Sequence, residues 1–226
     1  MGVSPFEQAR RNMLDGQLKP GNIADEYIMD VLGSVPRQPF VPQPLQGSAY
    51  VDADLQVAPN RYLLSPVLQA KLLEIAAVKQ DDHVLDIGCA TGYSSVLLGH
   101  LANKVIAVEA QMELAEQARR HISRFRMVNA EVVTGPLAQG YASAAPYDVI
   151  LINGAIQVLP EELVQQLAEG GRLVTVLNVD RKPGQTAGLG RAIFCQKVGG
   201  RLFQKEIFDA FAPLLPGFEK KSRFVL

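Results

Sequence analysis

Along the chain the apolar residues change their rhythm near residue 80. Before it, they recur at helical spacing. Phe6, Ala9, Met13 and Leu14 share one helix face, and Gly16 with Pro20-Gly21 is expected to end it. Asn22, three residues before Asp25, resembles a helix cap. Tyr27, Ile28, Val31 and Leu32 then form an apolar stripe that Gly33 should stop. Prolines at 36, 39, 42 and 44 predict a mostly irregular stretch between Val35 and Asn60. Ser65-Pro66 reads as an N-cap followed by proline at the first helical position, opening a helix through Leu68, Leu72, Leu73 and Ile75.

After residue 80, short apolar runs alternate with helical patterns. Strands are predicted at 83–87, 104–108, 130–133, 147–152 and 172–177. Helices are predicted at 93–101, around Leu114, Ala118 and Ile122, and from Pro160 to a stop at Gly170. Strands alternating with helices predict parallel βαβ units in an α/β, doubly wound, mostly parallel sheet. Residues 191–197 and 202–208 flank Val198-Gly199-Gly200, a hairpin signal, so the sheet should finish in an antiparallel pair and reach seven strands. The expected organisation is a helical and irregular extension over residues 1–80 and a doubly wound core over residues 81–226.

Composition excludes more than it selects. The chain has 226 residues, 48% hydrophobic and 20% charged, with a formal net charge of -1. Nothing in that balance offers an electrostatic grip on nucleic acid or an acidic membrane. No run approaches the roughly 18 apolar residues of a membrane helix. The opening MGVSPFEQARRNM lacks the apolar stretch of a signal peptide, and Phe6 stands where an N-myristoylation signal has Ser or Thr. Cys89 and Cys195 have no second ligand at metal spacing and make no disulfide framework, so no metal is expected and a reducing cytoplasm is the expected compartment.

The chemistry concentrates in residues 84–93, VLDIGCATGY, where the first core strand turns into a helix. Ligands of doubly wound sheets bind at the carboxyl ends of the strands, beside this turn. A dinucleotide fingerprint would need glycine at Gly88, at Ala90 and at Tyr93. The order here is instead G-x-A-x-G, and tyrosine at its third position disfavours a nicotinamide oxidoreductase. Glu109 ends the next strand, where an acid accepts both hydroxyls of a ribose, and Asp86 adds a second negative charge. Two carboxylates, with no lysine or arginine in the turn, predict a cationic ligand with a ribose. S-adenosylmethionine has a ribose, an ammonium group and a sulfonium.

VLDIGCATGYSS, KVIAVEA, PYDVILINGA and LPEELVQQLAEGGRLVTVL resemble the successive motifs of class I S-adenosylmethionine-dependent methyltransferases, with their Rossmann-like fold. VPRQPFVP and AYVDADL, ahead of the Ser-Pro helix start, resemble the protein-L-isoaspartate O-methyltransferases more specifically. That resemblance implies a cofactor site at Asp86, Gly88, Cys89, Ala90, Gly92 and Glu109, with Gly135, Pro136 and Asn153 beside it. The family carries Gly-Asp-Gly after the third strand. This chain reads Thr134-Gly135-Pro136-Leu137, so the acid at the adenine is gone. The family's substrate loop, Gly-Gln-Thr-Ile-Ser, falls on Asn60-Arg61-Tyr62-Leu63-Leu64, with Ser65 one place late. Ser65, Tyr62 and Arg61 are the candidate catalytic residues, Arg61 because a guanidinium suits a carboxylate substrate. The partner implied is a peptide or protein bearing an isoaspartyl carboxylate. The alternative is a donor-binding protein of the same fold that has lost or changed that activity.

His100 is expected to pack on a helix face, and Cys89 to line the turn near a helix N-terminus. The C-terminal FDAFAPLLPGFE is expected to cover the core.

Overall fold

The computed structural model describes residues 4–178 and 187–220. It builds a seven-stranded sheet in the order β5-β4-β3-β6-β7-β8-β9. β3 (His83–Ile87), β4 (Lys104–Glu109), β5 (Ala130–Thr134), β6 (Tyr147–Ile156) and β7 (Leu167–Leu177) are parallel. β8 (Ala187–Val198) and β9 (Arg201–Pro213) add the antiparallel hairpin, turning at Gly199 and Gly200, both at positive φ. The topology reverses between β4, β3 and β6, so the tip of β3 is the switch point where ligands of such sheets bind.

Each strand forms where an apolar run meets neighbours on both sides. Val84, Leu85, Asp86 and Ile87 are all buried, because β3 lies mid-sheet, with helices over its Val84 face and a cluster including Leu137, Leu163, Leu215 and Phe218 on the Leu85–Ile87 face. α4 (Tyr93–Leu101) and α5 (Met112–Arg124) cover one face together with α3 (Pro66–Ala76). Between β6 and β7 the helix is only one turn, α6 (Glu161–Gln165). The chain then re-enters the sheet well before Gly170, earlier than the sequence pattern predicts.

The first eighty residues pack on that same helical layer. α1 (Pro5–Met13) is capped by Ser4 and does not stop at Gly16. It passes into a π-helical turn, Leu14–Leu18, which seats Leu18 in the core. α2 (Glu26–Ser34) is capped by Asp25 itself, whose carboxylate accepts from Ile28 N. Asn22 instead takes φ +60, so it is a turn residue and not the cap. Tyr27 is exposed, and its hydroxyl donates to the carbonyl of His100. His100 is itself exposed and does not pack into the core.

Inside the proline-rich stretch lies an element the pattern does not predict. β1 (Leu55–Ala58) and β2 (Arg61–Leu63) pair as a separate two-stranded hairpin, turning at Pro59-Asn60 with Asn60 at φ +57. At the other end, Leu215 and Phe218 are buried and Leu214 bridges Ala155, so the C-terminal segment lies across the tip of β6.

Candidate active site

The turn after β3 is set by its backbone. Gly88 (φ +73), Ala90 (φ +50) and Gly92 (φ +91) are all left-handed. Gly88 N donates to Val108 O at 2.8 Å, which ties the turn to β4. At Gly92 a Cβ would stand 3.0 Å from the Cα of Ala118, so glycine also allows α4 and α5 to approach. Ala90 does not avoid positive φ. It adopts it, at a cost of about 1 kcal/mol relative to glycine.

Asp86 is fully buried. Ser94 Oγ and Ser95 Oγ, in the first turn of α4, donate to its Oδ2 at 2.8 and 2.6 Å, and Asn153 Nδ2 donates to Oδ1 at 2.6 Å. Burial pushes its pKa up. The three hydrogen bonds pull it back, and the nearby Glu109 carboxylate pushes it up further. Asn153 reaches Asp86 from the tip of β6 and also holds Ile87 O. Its Oδ1 is buried without a partner among the described residues.

Glu109 is the more crowded acid. Its Oε1 accepts from Ala110 N (2.9 Å), Gln111 N (3.1 Å) and Arg61 Nε (3.2 Å). Its Oε2 accepts from Ala90 N (2.8 Å) and Arg61 Nη2 (2.6 Å). Both side chains of the ion pair are buried, 2% exposed for Arg61 and 0% for Glu109. Sequence spacing left the turn without a cation. The hairpin supplies one from a distance, and Arg61 spends its guanidinium on the Glu109 carboxylate. Its Nη2 lies 3.1 Å from where a Cβ on Gly88 would stand, and so does the side chain of Leu215.

The other candidates divide. Gly135 follows the end of β5, donates its N–H to Glu109 O at 3.0 Å, and has open space where a side chain would project. Pro136 continues that turn. Cys89 is buried, and burial with two neighbouring carboxylates pushes its thiol well above the ordinary range, so it lines the turn as an inert side chain. Ser65 Oγ accepts from Leu68 N at 3.3 Å and caps α3. Tyr62 is half-buried on β2, opposite Gln56. Asp54 accepts from Ser65 N at 2.8 Å, and burial raises its pKa.

The VPRQPFVP segment does work that sequence reasoning did not assign. Phe40 stacks its ring on Phe125 (centroids 5.4 Å apart), meets Tyr93 edge-on at 5.2 Å and lies tilted against His121 at 4.5 Å. Its carbonyl accepts from Thr91 Oγ1 at 2.7 Å, which pins the glycine turn to the extension. Arg37, fully buried, donates to Ala49 O and Leu64 O at 2.8 Å each and lies over the Tyr93 ring. One arginine thus fixes both sides of the β1–β2 hairpin.

Acid, glycine turn and second acid at the switch point of this sheet define a class I S-adenosylmethionine-dependent methyltransferase. A family model described as protein-L-isoaspartate (D-aspartate) O-methyltransferase matches residues 8–189. A protein-L-isoaspartate O-methyltransferase of Koribacter versatilis is 36% identical over 95% of this chain and 96% of its own. One of Methanoculleus marisnigri is 32% identical over 92% and 99%. A solved protein-L-isoaspartate O-methyltransferase superposes with a TM-score of 0.78 at 25% identity, over 92% of this chain and 66% of that one. A Plasmodium falciparum structure in complex with S-adenosyl-L-homocysteine gives a TM-score of 0.76 at 19% identity, which speaks for the fold. The chain belongs to the protein-L-isoaspartate (D-aspartate) O-methyltransferase family. Nothing in these relatives favours a protein that binds the donor without transferring its methyl group. Among the described residues no helix is long and apolar enough to cross a membrane, and no group of His, Cys, Asp and Glu is placed to hold a metal ion.

The chemistry of the site suits the family's methyl donor. Two acids flank the turn, and the buried Asn153 Oδ1 is an acceptor in want of a donor. The one misfit is spatial: Arg61 and Leu215 fill the room above Gly88.

Proposed function

We propose that this chain methylates the carboxylate of isoaspartyl residues in damaged peptides or proteins, with S-adenosylmethionine as donor. The observation that carries it is the pair Asp86 and Glu109, buried on the neighbouring strands β3 and β4 around a left-handed glycine turn, in a chain of this family. Asp86 and the open Asn153 Oδ1 suit an ammonium group. Glu109 suits a ribose diol. The Gly135-Pro136 turn, with open space at Gly135, gives room for an adenine edge without the usual acid.

The donor supplies a methyl group on a positive sulfonium, which leaves as a neutral sulfide. The acceptor needs no base, because a carboxylate with a pKa near ~4 is already ionised at neutral pH. The residues of this chain therefore serve by holding two reactants in line, a contribution of roughly 7–11 kcal/mol when the geometry is right. In this reading Ser65 and Tyr62 wall the acceptor side, beside Leu64, whose carbonyl Arg37 holds.

Transfer of a labelled methyl group to an isoaspartyl peptide, beside the same peptide with an ordinary aspartate, tests this. Label should enter the first and not the second. Label in neither, with transfer to another carboxylate, would keep the class and reject the acceptor.

A further inference from the structure

We propose that Arg61 sets this chain's affinity for its methyl donor, by occupying the ribose acid itself, so that donor binding is an exchange of ligands on Glu109. The inference rests on the reading that the site takes S-adenosylmethionine. A carboxylate offers about four acceptor sites. Glu109 already receives donors from Ala90, Ala110, Gln111 and twice from Arg61, so none is left for ribose hydroxyls. The backbone donors belong to the turn and the strand end and stay where they are. Arg61 is the replaceable partner.

Three features make that replacement a real step. Both members of the pair are buried, so water and salt do little to loosen it. Arg61 Nη2 also stands over Gly88, where the methionyl end of the donor would pass, so the guanidinium blocks by volume as well as by charge. A cationic ligand and a guanidinium would repel each other in a site with two carboxylates. Arg61 thus stands as the cation of a site designed for one.

The hairpin gives Arg61 a way out. β1 and β2 pair with each other and with no other described strand, and the side chain of Gln111 holds the turn through Pro59 O at 3.1 Å. Moving the hairpin between its Arg37-held anchors at Ala49 O and Leu64 O withdraws Arg61 from Glu109 without breaking the main sheet. Leu215, on the C-terminal segment, closes the same space from the other side.

The test is titration calorimetry with S-adenosylhomocysteine on the full chain and on Arg61→Gln and Arg61→Ala. Gln is shorter and uncharged but keeps a polar amide on the hairpin, and so guards against a variant that fails to fold. The conformational cost of the exchange is removed in both variants, so both should bind roughly tenfold or more tightly than the parent. The melting temperature should fall without ligand and rise further on adding it. Equal or weaker binding in the variants overturns the proposal and leaves the donor assignment standing. No binding by any of the three overturns the donor assignment, and this proposal with it.

Discussion

The guanidinium of Arg61 and the carboxylate of Glu109 meet across 48 residues of sequence through hydrogen bonds of 2.6 and 3.2 Å, with both side chains buried. Breaking one side of such a pair leaves an uncompensated charge inside the protein. Glu109→Gln should therefore cost about 3–5 kcal/mol of stability, read from urea denaturation. Arg61→Gln combined with Glu109→Gln removes both charges and should cost less than the sum of the single changes. Strict additivity would mean that the two groups do not interact.

Asp86 predicts a separation of binding from folding. Asp86→Asn keeps the size, and the hydroxyls of Ser94 and Ser95 can rotate to suit an amide. Stability should change little. Binding of S-adenosylhomocysteine should weaken by about 1.5–3 kcal/mol, the worth of a hydrogen bond to a charged group. Calorimetry on the folded variant reads this, and unchanged affinity would remove Asp86 from the site.

Ala90 holds φ +50, in the left-handed region that favours glycine. Ala90→Gly should raise the unfolding free energy by up to about 1 kcal/mol, since the left-handed strain exceeds the entropy lost with glycine. Gly92→Ala should do the reverse, and more strongly, because its Cβ would meet the backbone of α5. Thermal unfolding of both variants checks the opposite signs.

Ser65 separates a cap from a catalyst. Ser65→Ala should cost about 1 kcal/mol through loss of the N-cap, and Ser65→Asp should restore it. If transfer rates recover with Ser65→Asp, the side chain serves through the helix start. If only hydroxyl residues support transfer, it acts on the substrate.

His121 makes the turn sensitive to pH. Its Nδ1 lies 2.8 Å from Thr91 O, and burial against the Phe40 ring lowers its pKa below the ordinary 6.5. The unfolded chain then binds a proton that the folded chain resists, so stability is full above about pH 6.5 and falls as pH drops towards the folded value. His83, also lowered by burial, acts in the same direction. His121→Gln should flatten the dependence of melting temperature on pH between about 5.5 and 7.5. An unchanged slope would assign the effect elsewhere.

What the sequence made legible follows from how local each signal is. β3 and α4 begin and end where the pattern places them, because a buried apolar run, a glycine turn and an apolar helix are all contiguous. Asp86 and Glu109 were visible for the same reason: Asp86 is the penultimate residue of β3 and Glu109 the last of β4. The β1–β2 hairpin was not, since its strands are short, lie among prolines, and turn through Asn60 at positive φ. The helix running past Gly16 depends on Leu18 finding a core site, a tertiary gain that outweighs glycine's poor propensity. The residues of the turn carry two acids and no cation, so their pattern alone predicts an anionic pocket. The cation comes from a segment that the fold, not the chain order, brings to Glu109.

A crystal structure of the chain with S-adenosylhomocysteine tests the central claim most directly. The account predicts the ribose hydroxyls on Glu109, the amino group beside Asp86 and Asn153, and Arg61 withdrawn from the carboxylate. A ligand seated away from the β3 turn, or bound with the Arg61–Glu109 pair intact, would contradict it.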